Sequence, residues 1–435
     1  MVLFPSPSPP GGDVTPFRWL RETMNSEERG LSLISLLVGC AGHISSGNFD
    51  NAMALLVQID HLATLDGDRM QRIACYFNKA FADRILKSSW SGYGALNSTN
   101  RTSVFEDIQI RRLFFELCPF LRISYSITNE AIIEAMEGEK MVHIVDLNCF
   151  APDQWVNLLH SLRARPEGPP MLRITGVHEQ QEVLNLMGRR LKEEADRLTV
   201  PFRFNPIASK LELLDIESLH KSGEALAICS LLKLNSLLAL EDTNSNSTCS
   251  PGSTASSSSS SSPLQTRMIA GFLNSLYGLS PKILVMMEQE WNGNNNVNLV
   301  ERVEESMNFY GALFDSLEAN FPRMSPEREK IEKMMFGEEI KNIVACEGAE
   351  RRERHEKLER WMPRLELGGF WNVPFNYHGR LQAMRLLRSC GFDGFDIKDQ
   401  KGCLVICWKH IPLYSISAWR LRYSGDTPAI YGSLS

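Results

Sequence analysis

The residues best placed to do chemistry follow a short apolar run, Met141 to Leu147. Asp146 lies near the end of that run, and the turn from Asp146 to Asp153 separates it from a helical pattern. A run that is apolar on both faces is typical of a parallel strand covered by helices on both sides. In such sheets ligands bind in the crevice outside the carboxyl ends of the strands. The first chemical question therefore concerns this turn.

A cofactor bound at this turn would need glycines, which let the backbone approach a ligand and point N–H groups at it. The turn contains no glycine, and Phe150 and Pro152 are poor substitutes, because one is bulky and the other lacks an N–H. Glu179, just past the next strand, sits where such folds place a ribose-binding acid, but a lone acid there is more typical of a solvated loop. The turn therefore favours a protein with no cofactor and no catalytic residues over a methyltransferase.

Two further side chains in this stretch have alternative roles. His143 lies inside the strand without a Ser or Cys nucleophile arrangement, so we interpret it as a hydrogen-bonded core residue rather than a base. Asp146 could face a ligand in the crevice, or it could accept hydrogen bonds from N–H groups of its own loop. We favour the second alternative for Asp146.

The elements that position these residues begin with a strand–helix–strand unit. After Pro152 one apolar stripe recurs at helical spacing, and the stretch from Met171 to Val177 has the pattern of the next strand. Further strand patterns follow at 202–207, 225–230 and 282–288, and a terminal antiparallel hairpin at 392–398 and 403–408. This order predicts an α/β fold with a Rossmann-like, class I methyltransferase-like sheet. The sheet is expected to be mostly parallel and to end in an antiparallel hairpin.

A helical region precedes the sheet, because apolar residues recur at helical spacing from Glu28 to about Glu137 without a convincing strand pattern. The predicted organisation is a disordered tail (1–26), a leucine-rich helical cap (27–137), a Rossmann-like core (138–423) and a flexible C-terminal tail (424–435). Within the core we expect a disordered serine-rich insert at 241–263 and a helical insert at about 322–365.

Composition narrows the class of protein. Apolar residues make up 43% of the chain and charged residues 23%, and the formal net charge is −6, so the surface offers no general field for nucleic acid. The 10 cysteines form no CxxC pair, which favours reduced thiols over disulfides or a zinc site. No signal peptide and no apolar run long enough to span a membrane is present in the sequence. We expect a soluble intracellular protein.

The stretch from Glu347 to Trp361 is rich in arginine, but acids alternate with the bases. Four acid–base pairs stand at i,i+4 spacing with the acid first, the better orientation on a helix. We therefore predict a solvated, self-neutralised helix rather than a track for phosphates. With the acidic net charge, this argues against direct sequence-specific DNA binding.

The first helix of the predicted cap contains the LxxLL pattern Leu33-Ile-Ser-Leu36-Leu37. Apolar residues cover more than half of its circumference, so it must be buried on more than one side. A second chain could supply one of those sides, which makes Leu33, Leu36 and Leu37 candidate partner-binding residues. The alternative is that this helix lies in a groove between its neighbours within one chain.

Several blocks resemble the signature motifs of the plant GRAS family, within it the Scarecrow-like-three group. They are Val142-His143-Ile144-Val145-Asp146, Gln154-Trp155, RPEGPPMLRITGV from Arg165, FGEEIKNIVACEGAERRERHEKLERW, which includes Arg351, Glu353 and Arg354, and Ser417-Ala418-Trp419. The similarity runs from about Glu27 to Arg422. The chain departs from the family pattern in having Val145 in place of isoleucine and in lacking the glycine that commonly follows. That loss is a further argument against a bound nucleotide.

The resemblance implies a nuclear transcriptional coregulator that is not an enzyme. It implies partners among DELLA-type GRAS proteins and zinc-finger DNA-binding proteins, homo- or heterodimers, indirect contact with DNA, and a role in gibberellin signalling and root development. The alternatives are an S-adenosylmethionine-dependent methyltransferase and a direct sequence-specific DNA-binding factor.

Overall fold

The computed structural model describes residues 25–89, 104–219, 223–240, 267–294, 298–389 and 391–422. The predicted serine-rich insert (241–263) and C-terminal tail (424–435) lie outside these residues, as do residues 1–24 of the predicted N-terminal tail. Those three predictions stay predictions.

The described part begins with helices: α1 (Ser26–Ser45), α2 (Phe49–Leu62), α3 (Arg69–Ser89), α4 (Val104–Leu117) and α5 (Pro119–Ala135). Asn25 begins α1 with a capping box, since its side chain accepts from the Glu28 N–H at 2.9 Å while its own N–H donates to the Glu28 carboxylate. The Asn48 side chain caps α2 by accepting from the Asn51 N–H. These caps satisfy donors that helix starts leave unpaired and fix where each helix begins.

Behind these helices stands one mixed sheet. Its parallel strands are β1 (Met141–Asp146), β2 (Met171–His178), β3 (Phe202–Ala208), β4 (Ala225–Leu231) and β5 (Ile283–Gln289). Its antiparallel strands are β6 (Phe370–Asn372), β7 (Phe395–Gln400), β8 (Cys403–Trp408) and β9 (Ile411–Leu421). The order is β3-β2-β1-β4-β5-β9-β8-β7, with β6 paired to β9. The predicted fold class is confirmed.

The sheet differs from the sequence-based prediction at β9, which sequence reasoning did not identify as a strand. β9 inserts between β5 and the β7–β8 hairpin and runs antiparallel to both β5 and β8. Most of it is buried, including Leu413, Ile416 and Trp419. Neighbours on both sides therefore make β9 an interior strand, and this pairing is a property of the tertiary structure.

Helices cover both faces of the sheet: α6 (Asp153–Arg163), α7 (Gln181–Leu198), α8 (Arg267–Gly278), α9 (Leu299–Asn320), α12 (Leu358–Leu367) and α13 (Tyr377–Ser389). Between α9 and α12 lie α10 (Pro326–Ile331) and α11 (Gly337–Ala345), which pack on other helices. The α5 helix packs on β5, β9, α6 and α13, so it covers the sheet as well as joining the N-terminal helices. One large apolar core is continuous from α1–α3 to this face of the sheet, and a second fills the opposite face.

The helices after α9 fold back onto the N-terminal helices. Residues 332–336 form a π-helical turn, and α11 then packs along α3. Arg72 of α3, itself buried, bonds the buried Glu332 carboxylate at 3.0 Å and the Glu318 carboxylate at 2.8 Å. A Cβ at Gly337 would come within 2.7 Å of the Tyr76 ring, so glycine allows this close approach. Part of the predicted helical insert thus enlarges the N-terminal helical layer.

The predicted solvated helix from Glu347 to Trp361 is wrong. Gly348–Glu350 form a single 3-10 turn, residues 351–357 have no regular structure, and α12 begins only at Leu358. Arg351, Arg354 and Glu356 are buried rather than solvated. Exposed i,i+4 pairs contribute only about 0.2–0.5 kcal/mol each, so buried hydrogen-bond partners elsewhere outweigh them.

Candidate functional site

Asp146, at the carboxyl end of β1, holds the following loop and the start of α6. Its carboxylate accepts hydrogen bonds from Trp155 Nε1 at 2.8 Å and from the Asn148 N–H at 3.0 Å. Burial raises the pKa of Asp146 to about 6, and the hydrogen bonds from Trp155 and Asn148 oppose that rise by stabilising the charge. This geometry matches the loop-fixing alternative for Asp146.

The loop after Asp146 crosses the ends of the neighbouring strands. The Leu147 N–H donates to the Cys229 carbonyl at 2.9 Å, and the Cys149 N–H donates to the Val177 carbonyl at 3.0 Å. Asn148 Nδ2 donates to the Leu231 carbonyl at 2.7 Å, so the loop is bonded to β4 as well as to β2. Leu147 and Cys149 are fully buried. Backbone donors that could bind a cofactor are thus bonded to the protein's own strands.

A glycine in β2 lets this loop lie directly on the sheet. A Cβ at Gly176 would come within 2.5 Å of the Cys149 sulfur and 2.9 Å of the Phe204 ring. Glu179, the acid past β2, pairs with Lys233 at 3.6 Å and keeps about half of its side chain in solvent. The crevice at the ends of β1 and β2 is therefore filled by this chain's own side chains.

The other motif residues of this first stretch, in β1, are buried within the sheet. Val142, Ile144 and Val145 are strand core residues. His143 Nε2 lies 2.8 Å from Thr175 Oγ1, and Arg173 Nη2 lies 2.8 Å from His143 Nδ1. His143 is therefore a buried residue whose two ring nitrogens both contact polar side chains of the neighbouring strand β2.

Gln154 joins three elements at the start of α6. Its Nε2 donates to Thr128 Oγ1 at 3.1 Å and contacts the Cys229 sulfur at 3.6 Å. Its backbone carbonyl accepts from Asn129 Nδ2 at 2.8 Å. Gln154 thereby links α5, α6 and β4 through buried hydrogen bonds.

A second cluster lies at the carboxyl end of β5, where two acids stabilise the starts of other segments. Glu288 Oε1 accepts from the Leu234 N–H at 3.0 Å, at the start of the 3-10 helix Leu234–Leu240. The Glu290 carboxylate accepts from the Leu358 N–H at 3.0 Å, at the start of α12. Burial raises the pKa of Glu288 to about 8 and also raises that of Glu290. Acids in an apolar strand were the sequence signal for this cluster, and sequence reasoning did not use it.

The segment Arg351–Lys357, here called the polar segment, packs beside these acids. Arg351 Nη1 donates to the Gly293 carbonyl at 2.6 Å. Arg354 donates to the carbonyls of Arg351 and Gly348 at 3.1 and 2.9 Å. Two of the three motif residues predicted here, Arg351 and Arg354, therefore point inward and bond the backbone.

The acids of the polar segment complete its hydrogen bonding. Glu356 is buried and accepts from Asn294 Nδ2 at 2.7 Å and from Arg364 Nε at 2.8 Å. The Glu353 carboxylate, which is partly exposed, lies 3.1 Å from His355 Nε2. Sequence reasoning missed His355, Glu356, Asn294 and Arg364. Asn294 lies 62 residues before Glu356, so no local pattern in the sequence joins these two.

The last motif, in β9, lies beside β5. Ala418 is opposite Val285 and Ser417 is opposite Met286 in the antiparallel ladder. Trp419 Nε1 donates to Ser417 Oγ at 2.8 Å, and the indole is fully buried. The predicted motif residues thus fall into two buried clusters at the sheet, and the described structure brings them to no common open site.

The structure corrects the prediction that Leu33 and Leu37 bind a partner. Both are fully buried within the chain, and Leu36 is half-buried against the same core. The α1 helix packs on α2, α3 and α9, so its neighbours provide the second buried side. The same helix leaves 64% of Leu31 and 38% of Ile34 exposed.

An apolar groove, here called the cap groove, runs beside α1. It has a volume of about 530 Å³ and is lined by Ile34, Val38, Met70, Met307 and Ile411, among others. At one end Asp315 accepts from Trp408 Nε1 at 2.7 Å, contacts Lys409 Nζ at 2.8 Å and pairs with Arg69. Helices α1, α3 and α9 and the β8–β9 turn meet here. Because its lining comes from segments far apart in the chain, the groove cannot be predicted from any single stretch of sequence.

Two features are absent from the part of the chain that the structure describes. Within them, no group of three or more His, Cys, Asp or Glu side chains is arranged to hold a metal ion. No helix in that part of the chain combines the length and the apolar character needed to cross a bilayer.

Comparison with known proteins gives matches along nearly the whole chain. The model of the GRAS domain family matches residues 33–420. Scarecrow-like protein 3 of Arabidopsis thaliana is 52% identical, over 94% of this chain and 92% of that protein. DELLA protein GAI1 of Vitis vinifera is 34% identical, over 93% of this chain and 64% of that protein. The crystal structure of SCL7 in Oryza sativa matches with a TM-score of 0.73 and 29% identity, covering 89% of this chain and 99% of that one.

Proposed function

Because the chain belongs to the GRAS family, we propose that it is a nuclear transcriptional coregulator that acts through protein partners rather than by catalysis. The similarity to Scarecrow-like protein 3, to Protein SCARECROW and to DELLA protein GAI1 supports a role in root development and gibberellin signalling. Its partners are then other GRAS proteins of the DELLA type and zinc-finger DNA-binding proteins, and its contact with DNA is indirect.

The observation that carries this proposal is the filled crevice at the ends of β1 and β2. Leu147 and Cys149 are buried there, and their N–H groups bond the carbonyls of Cys229 and Val177. A cofactor would have to displace both side chains and both hydrogen bonds. This supports a role without a bound cofactor, on a sheet whose topology otherwise suits ligand binding.

We place the main partner surface at the cap groove. Leu31, Ile34 and Val38 stand at i, i+3 and i+7 along one side of α1, and none of the three is fully buried. Such a stripe beside an apolar groove suits an amphipathic helix of a partner. The occupant we propose is a cap helix of a second GRAS chain, because the family model includes the cap helices from residue 33 onward and other members should therefore offer a similar helical layer.

A tethering experiment tests both parts of the proposal. The full chain is fused to a heterologous DNA-binding domain in plant cells, and reporter transcription and co-purification with GRAS proteins are measured. The double variant Ile34→Asp/Met307→Asp should lose the transcriptional effect and weaken co-purification about tenfold, as hot-spot substitutions do.

The matched control is Leu213→Asp, which changes an apolar side chain that is 74% exposed and lies outside the cap groove. It should behave as the unaltered chain. Melting followed by circular dichroism checks that each variant is folded. A folded groove variant that still binds and regulates would contradict the surface, and a tethered chain without any effect on transcription would contradict the function.

A further inference from the structure

A second groove lies on the core, and we propose that it binds a helical peptide segment that presents arginine or lysine. It has a volume of about 430 Å³ and lies between α5, α6 and α13. Tyr125, Asn129 and Glu130 of α5 line it with Asp153 and Asn157 of α6 and Gln382 of α13. We call it the acceptor groove. It is separate from the cap groove, so its failure would leave the proposed function standing.

The floor of the acceptor groove is one face of α5. This face runs over twelve residues, from Arg122 through Ser126 and Asn129 to Ile133. At a rise of 1.5 Å per residue, the first and the last of them are about 16 Å apart along the helix axis, or about three turns. The groove is therefore long enough for a short helical segment of a partner, which is a common mode of peptide recognition.

Asn129, which lines this floor, has an unpaired buried acceptor. Asn129 is only 5% exposed, and its Nδ2 donates to the Gln154 carbonyl at 2.8 Å. Its Oδ1 has no hydrogen-bond partner among the described residues. A buried acceptor without a donor costs about 1–3 kcal/mol, so Asn129 favours a ligand that brings an N–H.

Two carboxylates on the same groove also lack a hydrogen-bond or ion-pair partner among the described residues. Neither Glu130 nor Asp153 has a hydrogen bond or an ion pair from its side chain to another described residue. The carboxylate of Asp153 is close enough to contribute, after burial and the Asp146 carboxylate, to raising the pKa of Tyr125. Together with Asn129, these groups form a set of acceptors that a guanidinium or ammonium group would satisfy.

The cationic side chain that lines the groove, Arg122, already has partners within the chain. The Arg122 guanidinium lies 5.5 Å from the centre of the Phe115 ring and donates to the Glu116 carbonyl at 3.3 Å. Phe115 in turn stacks on Tyr125 at 5.3 Å. The groove therefore offers aromatic surface and free negative charge, which suits a cationic side chain on an apolar helix and not a phosphate backbone.

The test measures fluorescence anisotropy of a labelled 14-residue alanine- and leucine-based helical peptide with two arginines on one face, added to the full chain. A second peptide has citrulline, the neutral isostere, in place of both arginines. We expect the citrulline peptide to bind about tenfold more weakly, which corresponds to 1.4 kcal/mol. Because this comparison uses the unaltered chain, it does not depend on the folding of any variant.

Protein variants locate the binding. Glu130→Gln/Asp153→Asn should weaken the arginine peptide about tenfold, whereas the matched pair Glu212→Gln/Glu217→Gln, exposed acids elsewhere, should leave it unchanged. Asn129→Leu should weaken binding without changing net charge. Equal binding of both peptides, or equal losses in both double variants, would overturn the proposal.

Spermidine distinguishes a peptide site from a site for small cations. If the site recognises a helix, spermidine should displace the peptide only at concentrations far above the peptide's own dissociation constant. Displacement by spermidine at that same concentration would mean that the apolar residues of the peptide contribute nothing, and the peptide proposal would fail.

Discussion

Two regions along the same edge of the sheet, at the carboxyl ends of its parallel strands, are closed by different means. At the end of β1 and β2, backbone N–H groups of Leu147 and Cys149 bond strand carbonyls, and apolar side chains fill the crevice. At the end of β5, carboxyl side chains take this role: Glu288 and Glu290 accept hydrogen bonds from the N–H groups that begin two helical segments. The first end contains one buried charge-bearing side chain, Asp146, and the second contains several that depend on one another.

This difference indicates which region of the fold should lose more stability on substitution or on a change of pH. A neutral hydrogen bond contributes about 0.5–1.5 kcal/mol, and its loss is local. Removing one partner of a buried charge pair costs about 3–5 kcal/mol, because the other charge stays buried without compensation. The β5 end should therefore respond more strongly to substitution and to pH than the β1–β2 end. The predictions below test that contrast, from the largest expected effect to the smallest.

Glu356→Ala should give the largest loss, about 3–5 kcal/mol in the free energy of unfolding. It removes the acceptor for Arg364 and Asn294 in a site where Glu356 is buried. Chemical denaturation measures the loss, and the control Glu359→Ala, an exposed acid three residues on, should stay within about 0.5 kcal/mol of the unaltered chain. Similar losses in the two variants would remove the basis for the contrast.

Glu288 should make the chain less stable as pH rises. Its folded pKa of about 8 lies above the value of 4.5 expected when unfolded, so the folded state binds the extra proton between these values. Stability from this group is present below pH 4.5 and is lost as pH rises towards 8, by roughly 1 kcal/mol per pH unit.

Glu288→Gln cannot ionise and keeps an oxygen acceptor for the Leu234 N–H. Denaturation between pH 5 and 8 should therefore show a flatter pH dependence than in the unaltered chain. The control Glu301→Gln, an exposed acid on α9, should keep the original slope. An unchanged slope in Glu288→Gln would show that another group controls the pH dependence.

Trp155→Phe tests the β1–β2 end, and its effect should be about 2 kcal/mol, because one hydrogen bond to a buried carboxylate is lost. Trp155 Nε1 donates to Asp146 Oδ2 at 2.8 Å. The control is Trp371→Phe, whose indole is partly exposed and stacks with Arg422. A loss larger than that of Glu356→Ala would reverse the ranking of the two ends.

S-adenosylmethionine should produce no thermal shift, because the loop after Asp146 fills the crevice and uses its own N–H groups. Binding to the native state alone must raise the melting midpoint, so a saturable shift at micromolar ligand would revive the methyltransferase alternative. A methyltransferase that binds this ligand provides the positive control.

The fold could be predicted from sequence where the periodicity was strong. The apolar run of β1, the stripe of α6 and the alternation of strands with helices were sufficient for the fold class. The same reasoning failed for Glu347–Trp361, since i,i+4 charge pairs predict an exposed helix only if no better partners exist. Here Arg351 bonds the Gly293 carbonyl, 58 residues away in sequence.

The first helix of the cap also shows that a sequence pattern does not identify the partners of a residue. The LxxLL pattern shows that Leu33 and Leu37 must be buried, but it cannot show whether the same chain or another one buries them. Packing of α3 and α9 against α1 decided this in favour of the same chain. The exposed residues Leu31 and Ile34, and the groove beside them, follow only from that arrangement.

The sequence by itself determined the alternation of strands and helices from β1 to β5 and the absence of glycine in the turn after β1, because these are set by local periodicity and local sterics. The tertiary structure alone decided the place of β9, the burial of the polar segment and the two grooves. The reason is physical: hydrogen-bond partners and burial depend on segments far apart in the chain, and a one-dimensional pattern does not specify which of them meet.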